Sequence, residues 1–359
     1  MTTTLHLHPN DFAEKERIIC EFGELTVSTF VYSTGVAALR VKNSRGEIIV
    51  LPYKGHQIWR AAFDGRDLSM QTHFDEPVDT TTYLETYGAF FLHCGVTAIG
   101  APGPQDNHNL HGEIPNAPFT DARLVIDEAA GSVSVVGSYR YILAFQHHYL
   151  ATASVTMKAG EALIDVSLEV ENRKNTPTDL MYLGHANFAP ADHGELHYTA
   201  HYDAEHVRVR KSIPSHVTPL PGYQEFLDEL ADDPAQHHVL RPDLAFDPEV
   251  VFYIDFESDD EDHAHALQKR PDGTADYIRF RPDQVAHSLR WICRTPDKNA
   301  IAIVSPATSG VEGFTTEKEA GRVVALEAGA TWRVDMVMGT LTATETDAMI
   351  DHINHVMDR

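Results

Sequence analysis

The chain has 359 residues and carries 53 acidic against 28 basic side chains, a formal charge of −25 with histidines neutral. That balance repels phosphate backbones and anionic membrane surfaces, whose binding depends on clustered Lys and Arg, and no apolar run approaches the roughly 20 residues of a membrane span. Neither nucleic acid nor a membrane is an expected partner.

The stretch from Met1 to Pro9 lacks the basic start and apolar run of a secretory signal, so a cytoplasmic location is expected. Cys20, Cys94 and Cys293 are widely spaced and odd in number, which argues against a disulfide framework or a thiolate zinc site.

Leu25 to Tyr32 is rich in β-branched and aromatic residues, and Val36 to Val41 and Glu47 to Leu51 follow across turn residues such as Asn43 to Gly46. Successive antiparallel strands are predicted there. Ala122 to Ile126, Val133 to Tyr141 and Tyr149 to Met157 continue the meander, separated by turn candidates Glu128 to Gly131 and Lys158 to Gly160. Ile164, Val166, Leu168 and Val170 then alternate with Asp165, Ser167, Glu169 and Glu171, the period-2 pattern of a strand with one wet face.

Asp203 to Glu249 breaks the series with Pro214, Pro219, Pro221, Pro234, Pro242 and Pro248 around one short helical stretch, Tyr223 to Ala231. It reads as a long loop insertion, of the kind that often covers a site. Strands resume at Ala300 to Val304, Arg322 to Leu326 and Trp332 to Met338. A closing helix is predicted where Met349, Ile350, Ile353, Val356 and Met357 recur at helical spacing behind a Thr344-x-x-Asp347 start. The sum is an all-β chain, one large antiparallel β-sandwich with a few short helices, with residues 1–359 as a single domain and the insertion at about 203–249.

Histidine, present 22 times, is the residue whose ordinary pKa of about 6.5 suits proton transfer near neutrality. Two clusters stand out. His108 to Phe119 packs polar groups, Gly112 and two prolines between strands, a rigid loop able to present His111 to a hydroxyl or ring oxygen. Tyr182 to Phe188 places His185 and Asn187 on one face if extended.

The Leu-His-Gly motif at 110–112, a strand carrying a lone His before an Asn, and a late strand ending in Pro together resemble the aldose 1-epimerase superfamily. Cys94 to Gly100 and Leu110 to Pro118 are similar to its uncharacterised epimerase-like branch, Phe63 to Leu68 matches its early hairpin, and the likeness extends through Arg290 to Leu341. The resemblance implies a galactose mutarotase-like sandwich that needs no cofactor. In it, a His protonates the sugar ring oxygen while a carboxylate removes the anomeric hydroxyl proton.

By position, His185 matches the general acid and His111 the ring-binding histidine. The expected carboxylate position reads Ser305, and a serine hydroxyl is a poor base without an activating partner. Glu312, seven residues on, is the candidate base. The family's arginine before the Leu-His-Gly motif is also missing, with His93 near its place. Arg66, Asn187, Asp255 and Trp291 complete the expected substrate contacts.

The leading expectation is therefore an isomerase interconverting anomers or epimers of an aldose or modified hexose. Two alternatives stay open. One is a metal-dependent sugar isomerase or lyase, if His93 and His111 with His73 or His108 bind a divalent ion. The other is a non-catalytic sugar-binding protein. A small sugar is the expected partner, and a homodimer is compatible with the sequence.

Overall fold

The alternation at Leu163–Asn172 decides how the layers meet. Ile164, Val166, Leu168 and Val170 are buried, and their polar neighbours face away from the core. In the computed structural model, which describes residues 1–214, 216–244 and 246–359, this strand lies within a nine-stranded sheet that packs face to face on a thirteen-stranded one. Hairpins build both sheets. Ser132–Leu143 pairs antiparallel with His147–Lys158, which pairs in turn with Leu163–Asn172. Leu25–Val31, Ala37–Lys42 and Gly46–Leu51 run as the predicted meander.

The inner faces form one continuous apolar core that includes Val166, Leu168 and Val334 from the smaller sheet and Phe91, Tyr182, Ile292 and Ile303 from the larger. A second apolar cluster, with Leu183, Leu289, Trp291, Cys293 and Ala302, covers the opposite, outward face of the larger sheet. Side chains alternate across a strand, so each central strand of the larger sheet serves both clusters.

One irregularity redirects that alternation. His287–Arg294 pairs with Asn299–Ala307 in a register that sets Leu289 opposite Ser305 but Trp291 opposite Ala302. The extra residue is a β-bulge. Ile303 and Val304 both point inward, and Ser305 turns outward. The guanidinium of Arg290, fully buried, donates to the Ile303 carbonyl at 2.8 Å, so the bulge's backbone oxygen is satisfied.

The insertion is more ordered than a loop. Val207–Val209 adds an edge strand beside Val250–Ile254, and Tyr223–Asp232 forms a helix. His237 is fully buried, stacked on Phe252, and accepts a 2.7 Å hydrogen bond from Arg290. Ser215 and Ala245 of this segment lie outside the described residues.

The closing helix spans Ala343–Met357, two residues off the predicted start: Thr342 is the N-cap, in a capping box with Glu345. Both Thr342 and Thr344 offer the cap chemistry, but Thr342 directly follows the preceding strand, which ends at Leu341. All three cysteines are free. Among the described residues no helix is long and apolar enough to cross a membrane.

Candidate active-site cavity

A cavity of about 170 Å³ opens on the outward face of the larger sheet. Its floor is Leu183 and His185 from Thr178–Ala186, Ser305 from Asn299–Ala307, and Leu289, Trp291 and Cys293 from His287–Arg294. The register pairing Leu183 with Ala307 sets His185 opposite Ser305. Both carry a buried polar atom, Nδ1 of His185 and Oγ of Ser305, with no partner among the described residues.

The Leu-His-Gly loop forms one wall. His111 has φ of 59° and Gly112 of 77°. A Cβ at Gly112 would stand 2.3 Å from the Gly95 carbonyl oxygen, so only glycine fits. The Glu113 carboxylate fastens the loop by accepting from the Val96 amide at 3.0 Å and the Tyr149 hydroxyl at 2.5 Å. His111 Nδ1 accepts from the Gly100 amide at 3.4 Å, leaving Nε2 as the protonated nitrogen.

Aromatic rings complete the enclosure. Tyr83 stacks on Tyr87 with centroids 5.0 Å apart, and His185 meets Trp291 edge-on at 5.4 Å and His111 at 5.9 Å.

The hydrogen-bond chain behind His185 fixes its proton. Tyr87 donates its hydroxyl to Asn187 Oδ1 at 3.0 Å, because the Asn187 amide nitrogen is engaged with the Ala89 carbonyl. The Tyr87 oxygen, 3.3 Å from His185 Nε2, is thus the acceptor, and Nδ1 of His185 keeps the lone pair. Burial, helped by the nearby Lys298 charge, pushes the His185 pKa down to about 4. The imidazole is therefore neutral near pH 7, which disfavours the proton-donor role expected for it.

Charged groups come from segments that carry no strand pattern. Glu249, the last residue of the insertion, lines the cavity and accepts the Trp291 indole N–H at 2.6 Å. It is the cavity's one carboxylate among the described residues. Lys298, in the hairpin turn before Asn299–Ala307, lies over the Tyr87 ring at 4.4 Å. Burial lowers its pKa, opposed in part by Cys293 and Glu249. Arg210 and His216 of the insertion also line the space.

The remaining expected residues lie elsewhere, for identifiable reasons. Glu312 is immobilised beside the cavity: its carboxylate accepts from Arg210 at 2.8 Å, Tyr253 at 2.6 Å and Ser212 at 2.6 Å. Burial raises its pKa, but those hydrogen bonds and the Arg210 charge outweigh it and hold it below the ordinary range. Such a carboxylate is a weak base.

His93 alternates with Leu92 and Cys94, which face outward, so its ring turns into the core, where Nδ1 meets the Tyr182 hydroxyl at 2.8 Å. The pocket of His93 and His111 with His73 or His108 is therefore not assembled. Arg66 pairs with the fully buried Asp276 at 2.6 Å and with Thr340 at 2.8 Å, latching the two sheets together. Asp255 forms a two-pronged pair with Arg208 at the sheet edge. Asn187 touches the cavity only through Tyr87.

A family model described as a domain of unknown function, DUF4432, matches residues 33–211. No curated protein matches the sequence. Among solved structures, a protein of Klebsiella pneumoniae provisionally described as an aldose 1-epimerase aligns with a TM-score of 0.85 at 14% identity, covering 99% of this chain and 96% of that one. A galactose mutarotase-like protein from Clostridium acetobutylicum aligns with a TM-score of 0.61 at 11% identity, over 89% and 99% of the two chains. One from Lactobacillus casei gives 0.55 at 14%, over 85% and 100%. The chain thus has the galactose mutarotase-like fold, as the resemblance of its motifs implied.

Proposed function

We propose that the protein is a carbohydrate-active isomerase that interconverts the anomers of an aldose or modified hexose by proton transfer in the cavity around His185. The observation that carries this reading is the pairing of Glu249 and Lys298: a carboxylate and an ammonium share one aromatic-walled cavity without forming a direct ion pair. Anomer exchange needs a base for the anomeric hydroxyl and an acid for the ring oxygen.

Glu249 takes the anomeric proton as the bond from the anomeric carbon to the ring oxygen breaks, and Lys298, made more acidic by burial, protonates that oxygen. The open-chain aldehyde rotates, recloses from its other face and returns both protons. Neutral His185 and Ser305 offer Nδ1 and a hydroxyl to sugar hydroxyls, His111 offers its Nε2 proton, and the ring of Trp291 stacks on the apolar face of the sugar.

The test is to mix the protein with freshly dissolved single anomers of a broad aldose panel and follow optical rotation, with exchange NMR as a second readout. Acceleration over buffer for at least one sugar is expected. Rates equal to buffer throughout, with calorimetric sugar binding intact, would turn the reading to a non-catalytic sugar-binding protein. The metal-dependent alternative has less support, because the His93 and His111 cluster does not converge.

A further inference from the structure

On the nine-stranded sheet, away from the cavity, three potential ligand atoms converge: Oδ2 of Asp259, Nε2 of His265 and Nε2 of His352, all within 4.8 Å of one another. We propose that they form a binding site for a divalent transition cation, zinc in the first place, which clamps the C-terminal helix to the sheet.

The donor chemistry comes from three segments. Asp259 Oδ1 is occupied by the backbone amides of Glu261 and His263, each at 2.9 Å, so the carboxylate is held with Oδ2 facing outward from its loop. That oxygen meets His265 Nε2 at 2.9 Å and His352 Nε2 at 3.1 Å. The two rings stand nearly perpendicular, 84° apart with centroids at 5.0 Å, and both aim the same nitrogen at one point. Two imidazoles and a carboxylate are a common donor set for zinc with a fourth position left to water.

A tetrahedral ion with ligands at about 2.0–2.2 Å separates its donor atoms by about 3.3 Å. The two observed oxygen–nitrogen separations, 2.9 and 3.1 Å, fall a few tenths of an ångström short, so a small outward relaxation makes room. The half-exposed His352 leaves a path from solvent.

The surroundings are those of a prepared site. His265 Nδ1 lies 2.8 Å from the Tyr277 hydroxyl, which has no other partner among the described residues. With Nδ1 donating to the Tyr277 hydroxyl, His265 can present the Nε2 lone pair to an ion beside Asp259, in place of the N–H it gives the carboxylate in the ion-free chain. Outer-shell contacts of this kind fix the tautomer of metal-binding histidines. His263 adds a buried Nδ1 without a partner among the described residues, 4.0 Å from Asp259 Oδ1.

The helix is positioned independently of any ion, since Ile353 packs in a cluster with Leu267 and Tyr277. Its residues therefore present His352 with little rearrangement, which favours binding.

The experiment titrates metal-free full-length protein with Zn²⁺ by calorimetry, records the visible spectrum with Co²⁺, and measures the melting temperature with and without Zn²⁺. With 22 histidines, weak sites elsewhere are expected, so the readout is the difference from His352→Ala, a substitution that favours the helix. One tight equivalent, tetrahedral Co²⁺ bands and a zinc-dependent rise in melting temperature are expected, with affinity weakened at least about 100-fold in His352→Ala and about tenfold in Tyr277→Phe. Equal stoichiometry and equal zinc-dependent melting shifts in the parent chain and His352→Ala overturn the proposal, as does the absence of any saturable Zn²⁺ binding in the parent.

Discussion

The strand Asn299–Ala307 shows two different uses of one sheet. Toward the nine-stranded sheet it sends Ile301, Ile303 and Val304 into an apolar core, where the buried Arg290 donates to the Ile303 carbonyl and His237 and lies over the Tyr198 ring, with Nη2 alone of its nitrogens lacking a hydrogen-bond partner among the described residues. On its other face, beyond the bulge, Ser305 stands opposite His185, with Ser305 Oγ and His185 Nδ1 unmatched among the described residues and with Glu249 and Lys298 in the same cavity. Matched polarity stabilises a fold, whereas unmatched polarity beside a cavity keeps groups available to a ligand.

The largest effect should come from acid. Burial holds His56 and His185 at a pKa of about 4, and burial together with His56 holds His93 at about 3, against about 6.5 in the unfolded chain. Folded-state values are depressed, so the unfolded state binds more protons in this window. The stabilisation is complete above pH 6.5 and is lost as pH falls toward 4, on the order of 3 kcal/mol per histidine. Denaturant melts between pH 8 and 4 measure it. His93→Gln should flatten the acid limb by about one proton without touching the cavity, and an unchanged slope would show that His93 does not titrate on unfolding.

Next comes the core face. Ile303→Ala should cost about 2–5 kcal/mol of stability, because the close-packed inner layer cannot collapse on the space left. Comparable destabilisation with no change in anomer exchange at low temperature is expected. A rate that falls while stability holds would mean that the two faces are not independent.

The cavity face answers in rate. Glu249→Gln keeps an acceptor for the Trp291 indole but removes the base, so anomer exchange should fall at least about 100-fold, equivalent to about 2.7 kcal/mol of barrier, with melting nearly unchanged. Full activity would take Glu249 out of the mechanism.

Much of this was legible in the sequence. Alternation at Leu163–Asn172 and turn residues between the hairpins specify two sheets, because one buried face imposes period two. His111, His185 and Trp291 were found because they sit in or next to motif-bearing strands. Glu249 and Lys298 were missed: one closes a proline-rich insertion, the other occupies a turn with the look of an ordinary solvated lysine, and only the three-dimensional path brings them together. The remaining signal for Glu249 was its place directly before the alternating strand Val250–Ile254, which pairs beside Trp291. Glu312 misled because nearness in sequence to Ser305 says nothing of Arg210, 102 positions away, which holds it. His93 misled through parity, one residue from Leu92 and Cys94 on the outward face.

The smallest expected change tests the contrast most directly. A buried hydroxyl without a partner has given up its water and gained no hydrogen bond, so removing it should be neutral or slightly stabilising. Ser305→Ala is therefore expected to shift stability by less than about 1 kcal/mol in either direction, far below Ile303→Ala two positions earlier. If the hydroxyl is there for the sugar, KM should instead rise by about tenfold, the worth of one hydrogen bond between neutral groups. A stability loss well above 1 kcal/mol would mean that Ser305 is matched within the folded chain, and the distinction between the two faces of this strand would rest on Glu249 and Lys298 alone.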